Sequence, residues 1–376
     1  MIKSLLIRNF RLFKEIEIKR LSRINLFVGK NNSGKSCLIE ALQIYATKGH
    51  PQNLYDIISS RDEEWESIIS DENETPIQEV AGPFGYLFHG YALPGVDGEA
   101  IEIGPTEDSS RQLKIALRAF QIIEDEDGRR RRTPVDKNSI NDEFVDIQFA
   151  LEATQNNERC NYVNLNSHSS IYKRPLYTGL KDFNINHQVV PTRNLSDDKL
   201  SILWDNINLT DLEKEVVSCL KIIDPNIEGV ALVGNLSERT VRKAKRIPII
   251  RYKGIKERIP LKTMGDGLTR LFHIILALVN SKNGFLLIDE FENGLHWSTH
   301  SRIWDIIIRL SEELNVQIIA TTHSRDCIKG FYEVWSAKEV PASFYRLEAD
   351  PFKGSKIINY TCEMLSDAVE SDVEVR

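Results

Sequence analysis

An α/β fold built on a largely parallel sheet is what this 376-residue sequence predicts, and three observations carry the prediction. Residues 24–28 (I-N-L-F-V), 284–288 (F-L-L-I after a glycine) and 316–321 are short, continuous apolar runs, as strands buried on both faces are. Helical patterns alternate with them at 36–45, 267–279 and 297–314, the arrangement that covers a parallel sheet on both sides. Each run also ends in polar residues of chemical interest, at the strand end where open α/β sheets bind ligands.

The opening residues read as β-rich, with alternating apolar positions over 2–10 and 16–19. Residues 46–110 give turn signals, among them Pro83, Pro94 and G-V-D-G at 95–98, but no clear elements. Residues 111–123 and 144–151 alternate like strands, and between them 124–132 reads E-D-E-D-G-R-R-R-R. That run is expected to be a solvated hairpin tip; contact of its arginines with phosphates or an acidic partner is the alternative. Residues 196–223 read as helices, the second capped by Asp211 and carrying Leu212, Val216, Val217, Leu220 and Ile223 on one face. Strands are expected at 227–233, 246–252 and 255–261.

Composition bounds the rest. The chain is 41% hydrophobic and 27% charged with a net charge of −7, which argues against nonspecific coating of nucleic acid but leaves a local basic patch open. Cysteines at 37, 160, 219, 327 and 362 form no C-x-x-C pair, so a reducing, cytoplasmic setting is expected rather than a disulfide scaffold. The first ten residues hold no signal-type apolar stretch and no run of 18 apolar residues occurs, so no membrane span is expected.

Four segments carry chemistry. Residues 29–36 read G-K-N-N-S-G-K-S between a strand and a helix, the context a phosphate-binding loop requires. Gly29 and Gly34 let the backbone wrap phosphate oxygens, and the N–H groups of Lys30, Asn31, Asn32, Ser33 and Cys37 face that charge at a helix N-terminus. Lys35 reaches the β- and γ-phosphates of ATP and the Ser36 hydroxyl ligates Mg2+. Next, the strand ending F-L-L-I-D-E delivers Asp289 for the metal and Glu290 as the base that orients water. Third, T-T-H-S at 321–324 places His323 at the same edge, where it can bond the γ-phosphate or the attacking water. Fourth, M-G-D-G at 264–267 heads a long apolar helix, making Gly265, Asp266 and Gly267 a second anion-friendly turn. One chain does not need two such turns, whereas a second subunit whose nucleotide meets this one does.

In this order the four segments resemble the ABC-type ATPases, and among them the stand-alone OLD, RecF and SMC-like group. The opening I-K-S-L-L-I-R-N-F-R-L-F followed by I-N-L-F-V-G-K-N-N-S-G-K-S-C-L-I-E-A-L looks like that group's N-terminus. By this resemblance 29–36 is Walker A, 285–290 is Walker B, 264–267 stands at the signature motif, 292–296 (E-N-G-L-H) is the D-loop region and His323 is the switch histidine. Pro191 to Arg193 resembles the P-x-R segment before the helical lobe. Gln78 and Gln148 are both candidates for the magnesium-contacting glutamine, and Trp297 stands where relatives often have proline.

The resemblance implies an ABC-type head with a mixed N-terminal β lobe, a central sheet flanked by helices and an inserted helical lobe. Its parts are expected at 1–195 (Walker A and a β-rich insertion), 196–246 (helical lobe) and 247–376 (signature-like turn, Walker B and switch histidine). It also implies magnesium-dependent ATP hydrolysis in a head-to-tail homodimer with composite sites, or a higher oligomer. About 230 residues separate Walker A from the signature-like turn without sustained heptads, so an SMC-like arm is not expected. About 50 residues follow His323, with Asp350, Asp367 and Asp372 among them, so the TOPRIM nuclease of OLD proteins is expected to be absent. Three uses stay open: control of a separately encoded nuclease or toxin in anti-phage defence, DNA repair or DNA-end binding of RecF type, and a slow structural clamp or motor. The second needs a basic groove, for which Lys3, Arg8, Arg11, 129–132 and 242–246 are candidates.

Overall fold

The computed structural model describes residues 1–63, 82–124, 130–135, 147–165, 185–234, 246–338, 340–350 and 354–371. The chain opens with an antiparallel hairpin of β1 (Leu5–Phe10) and β2 (Phe13–Ile18), then β3 (Ile24–Val28) leads through the glycine-rich loop into α1 (Lys35–Ala46). Helix α2 (Pro51–Ser59) starts with proline, whose fixed φ suits a first turn. Strands β4 (Ile101–Gly104), β5 (Leu113–Glu124), β6 (Arg130–Val135), β7 (Ile147–Gln155) and β8 (Glu158–Asn164) join the hairpin in a seven-stranded antiparallel sheet, ordered β2-β1-β4-β5-β7-β8 with β6 beside β5.

Strand β9 (His187–Val190) precedes α3 (Asp197–Ile207) and α4 (Asp211–Ile223), capped by the hydroxyls of Ser196 and Thr210. These helices are followed by a small antiparallel sheet of β10 (Ile227–Gly234), β11 (Arg246–Tyr252) and β12 (Ile259–Pro260). Among the described residues of the segment expected as a helical lobe at 196–246, the helices end at Ile223 and β10 follows, pairing with β11 across the C-terminal boundary. The strand expected at 255–261 shrinks to two residues, because 253–258 turn through Gly254.

Helix α5 (Asp266–Val279), β13 (Phe285–Ile288), α6 (His300–Glu313), β14 (Gln317–Thr322), α7 (Arg325–Lys338), β15 (Ala342–Asp350), β16 (Gly354–Tyr360) and α8 (Cys362–Glu370) complete the chain. The central sheet runs β16-β15-β3-β14-β13-β9, parallel throughout except for β16. Its strands feed two cores. Leu26, Leu286, Ile288, Ile318 and Ala320 pack with α3 to α7, while Phe27, Phe285, Leu287 and Ile319 pack on the other face with α1 and the antiparallel sheet. A strand with a core on each side has no polar positions to alternate, which is why these runs are continuous.

The arginine-rich run is not wholly a loop. Arg130 to Arg132 lie on β6, opposite Glu124, Ile123 and Ile122 of β5, and the Arg132 guanidinium sits 5.2 Å from the Tyr162 ring centre. Residues 125–129 and 242–245, Gln78 and Asp372 lie outside the described residues.

One buried group links the helices to the site. His273 on α5 is 4% exposed, and its Nδ1 accepts the backbone N–H of Leu195 at 3.0 Å. Burial, with Arg270 nearby, pushes its pKa down to about 4. The unfolded chain therefore binds a proton the folded chain refuses between about 6.5 and about 4, so stability is full above that window and falls as pH drops through it. We expect a loss of about 3 kcal/mol from this residue by pH 4, seen as a falling urea midpoint, and a clearly flatter pH profile in His273→Gln.

Candidate nucleotide site

The glycine-rich loop leaves β3 and turns back into α1 at Gly34, whose φ is +99°. A Cβ there would lie 2.7 Å from the Phe13 ring of the first hairpin, so both conformation and space demand glycine. Lys35 is 7% exposed, and its Nζ donates to the carbonyls of Gly29 at 2.7 Å and Lys30 at 2.9 Å. Burial lowers its pKa, while Asp289, Glu290 and Glu292 act to raise it. Ser33 is 3% exposed and its hydroxyl has no hydrogen-bond partner among the described residues. The loop thus presents a buried cation and an orphaned hydroxyl, the two features a phosphate satisfies. Lys30, Asn31, Asn32 and Ser33 also line a cavity of about 1520 Å³ that continues past His89 and Tyr91, ample for a base and ribose. Cys37 points elsewhere: its side chain is 4% exposed in the core, so only its backbone belongs to the loop.

Parallel register brings the other segments alongside. Asp289 follows β13 and collects three hydroxyls: Ser36 donates to Oδ2 at 2.8 Å, Thr192 to the same oxygen at 3.2 Å, and Thr321 to Oδ1 at 2.6 Å. Glu290 takes φ +50°, a left-handed conformation uncommon for a residue with a side chain, held by its N–H donating to Thr321 Oγ1 at 2.9 Å. Asn293 donates to its Oε2 at 3.3 Å. His323 follows β14, with Nδ1 3.1 Å from Glu292 Oε1 and 3.8 Å from Glu290 Oε1. Lys35, Ser36, Asp289, Glu290 and His323 therefore share one sheet edge.

The Gly265 to Gly267 turn is different. It opens α5 beside the turn after β13, where a Cβ on Gly267 would lie 3.1 Å from the Gly294 carbonyl. No hydrogen bond or ion pair among the described residues joins it to the glycine-rich loop, and a Cβ on Gly265 would meet nothing within 4 Å. Gln148 lies on β7 opposite Phe120. Trp297 lies on a 3₁₀ turn and is 64% exposed.

The family model for the AAA ATPase domain matches residues 1–328. This chain belongs to the AAA ATPase domain family. It is 24% identical over 378 aligned residues to an ATP/GTP phosphatase of Helicobacter pylori, covering 90% of each chain. A 45-residue stretch is 42% identical to an uncharacterized protein of Methanocaldococcus jannaschii, covering 12% of this chain and 20% of that one. The solved SMC head bound to the C-winged helix domain of ScpA matches at a TM-score of 0.50 and 14% identity, covering 97% of this chain and 99% of that one, so the two share a fold.

This AAA ATPase holds its strand ends with a residue the sequence did not single out. Arg270, 2% exposed one turn into α5, donates through Nη1 to the carbonyls of Pro191 and Arg193 and through Nη2 to those of Asp289 and Glu290. Burial pushes its pKa down to about 10, and Asp289 leads the carboxylates that oppose the shift. The signal was an arginine at a core position of an apolar helix. The same clamp draws in the 191–193 segment, and with it Thr192. For a magnesium ion the donors fit: Ser36 Oγ and Asp289 Oδ2 are hard oxygens 2.8 Å apart, close to the roughly 2.9 Å between neighbouring ligands of a Mg2+ octahedron. We expect Arg270→Met, which keeps the stem but strands the carbonyls of Pro191, Arg193 and Asp289, to lose about 3 kcal/mol in urea unfolding. A loss below about 1 kcal/mol would show that water replaces the clamp.

Proposed function

We propose that this AAA ATPase hydrolyses ATP in a head-to-tail homodimer whose closure controls a separate effector. The observation that carries the reading is the meeting of Lys35, Ser36, Asp289, Glu290 and His323 at one sheet edge. Lys35 leaves the loop carbonyls for the β- and γ-phosphates as the N-terminus of α1 and Ser33 receive phosphate oxygens. Ser36 and Asp289 would hold Mg2+, which would supply charge neutralisation on the phosphates. Glu290 orients and polarises the attacking water, with one carboxylate oxygen kept by Asn293, and His323 assists. The turn Gly265–Asp266–Gly267 of a second copy closes the site; that no hydrogen bond or ion pair among the described residues joins it to the loop of its own chain supports this. The acceleration is chiefly electrostatic positioning. The name of the Helicobacter pylori relative puts GTP beside ATP as a substrate to be compared.

For the use of this cycle we propose control of a nuclease or toxin in anti-phage defence, on the strength of the OLD-like motifs. The state of three of the candidate basic residues favours it over a DNA groove. Arg8 pairs with Glu15 and Glu102, Arg11 is 1% exposed and pairs with Glu40 and Glu63, and Arg246 pairs with Asp205. Those cations are already neutralised within the chain.

Glu290→Gln is expected to cut phosphate release at least 100-fold and leave an ATP-bound dimer in light scattering, whereas Lys35→Ala loses ATP binding. Normal turnover by Glu290→Gln would remove the base assignment. A mixing assay tests the shared site. Lys35→Ala and Asp266→Trp are each inactive alone, but mixed in equal amounts they recover about a quarter of wild-type activity, since half the dimers carry one of two intact sites. No recovery would exclude head-to-tail sharing. An effector co-purifying from the native cells supports the defence reading; tight, strongly salt-dependent DNA binding by the dimer would replace it with the RecF-like one.

A further inference from the structure

Glu292 is a third carboxylate at the site edge, and neither metal, water nor phosphate chemistry accounts for it. Its side chain is 11% exposed and crosses from the turn after β13 to the turn after β14. Both oxygens are spent there: Oε2 accepts the Thr322 hydroxyl at 2.7 Å, and Oε1 accepts the His323 N–H at 2.8 Å while lying 3.1 Å from His323 Nδ1. The turn that carries Glu292 does not need its side chain, being closed by backbone bonds from Phe291 to Thr321, Asn293 to Glu290 and Leu295 to Glu292.

We propose that Glu292 is the positioning residue for His323, fixing its neutral imidazole with the proton on Nδ1 and the lone pair on Nε2. The proposal rests on the reading of this edge as a hydrolysis site. The 3.1 Å contact is close but not aligned as a hydrogen bond; an ionised carboxylate, which can only accept, still favours the ring nitrogen facing it as the N–H and leaves the other as an acceptor. The consequence separates two roles for the histidine. With Nε2 an acceptor, neutral His323 takes a hydrogen bond from the attacking water and cannot donate one to the γ-phosphate.

The test uses the full chain with ¹⁵N-histidine, at a pH where imidazole is neutral, with His323 assigned by its loss in His323→Gln. In the wild type the His323 signals are expected to show the proton on Nδ1 and a bare Nε2. Glu292→Leu, similar in size but without an acceptor, loses that preference. Its kcat falls about 10- to 100-fold while KM for ATP stays within twofold, a split that a general loss of structure does not produce. Glu292→Gln, whose amide oxygen can accept both the backbone N–H and Nδ1–H, restores the wild-type tautomer and most of kcat; if Glu292→Leu does not fold, the wild-type tautomer decides. A proton on Nε2 in the wild type overturns the proposal, as does a Glu292→Leu variant with unchanged tautomer and kcat within twofold. The spectra need no turnover, so a wild type that fails to hydrolyse ATP would sink the hydrolysis reading while the tautomer still judges the Glu292–His323 pair.

Discussion

Three hydroxyls from three parts of the chain converge on Asp289, and that convergence requires the strand ends to be level. Ile288 pairs with Ala320 and Val28 with Thr322, so the residues leaving β13 and β3 emerge beside the last residues of β14. A slip of one residue in either pairing would turn every side chain of a strand to the opposite core. The two cores differ in what they pack: helices on one face, α1 and the antiparallel sheet on the other. Hydrophobic alternation between two buried faces thus fixes the register, and the register assembles Ser36, Asp289 and Thr321. Arg270 then ties down the backbone on both sides of Asp289.

Much of this was legible in the sequence because the central strands and the phosphate-binding loop are local signals. The runs at 24–28, 284–288 and 316–321 became β3, β13 and β14 with shifts of at most one residue at their ends. The chemistry-bearing residues stood directly after them. What could not be read depended on contacts distant in the chain. Thr192 reaches Asp289 across 97 residues, and Arg270 reaches Pro191 across 79. The small sheet after α4 was blurred because β12 is held by only two residues against β11. Arg11 looked like a surface cation by type, yet it lies buried between Glu40 and Glu63, one of them contributed by a segment with no clear pattern of its own.

The charge balance at the edge gives the site its direction. Asp289, Glu290 and Glu292 set three carboxylates against the two cations Lys35 and Arg270, and the arginine is committed to carbonyls. A triphosphate adds negative charge beside these carboxylates. The exposed Lys30 of the loop and the N-terminus of α1 are the positive charge the chain itself offers against it.

The ring of Phe13 beneath Gly34 has a consequence of a different kind. Glycine is required at that position twice over, once by the left-handed backbone and once by an aromatic side chain contributed twenty-one residues earlier. The opening hairpin is therefore part of the mould in which the phosphate-binding loop is cast. A smaller residue at 13 leaves a hollow under the loop, and a larger one at 34 has nowhere to go. A graft of this loop onto another scaffold has to carry the hairpin with it.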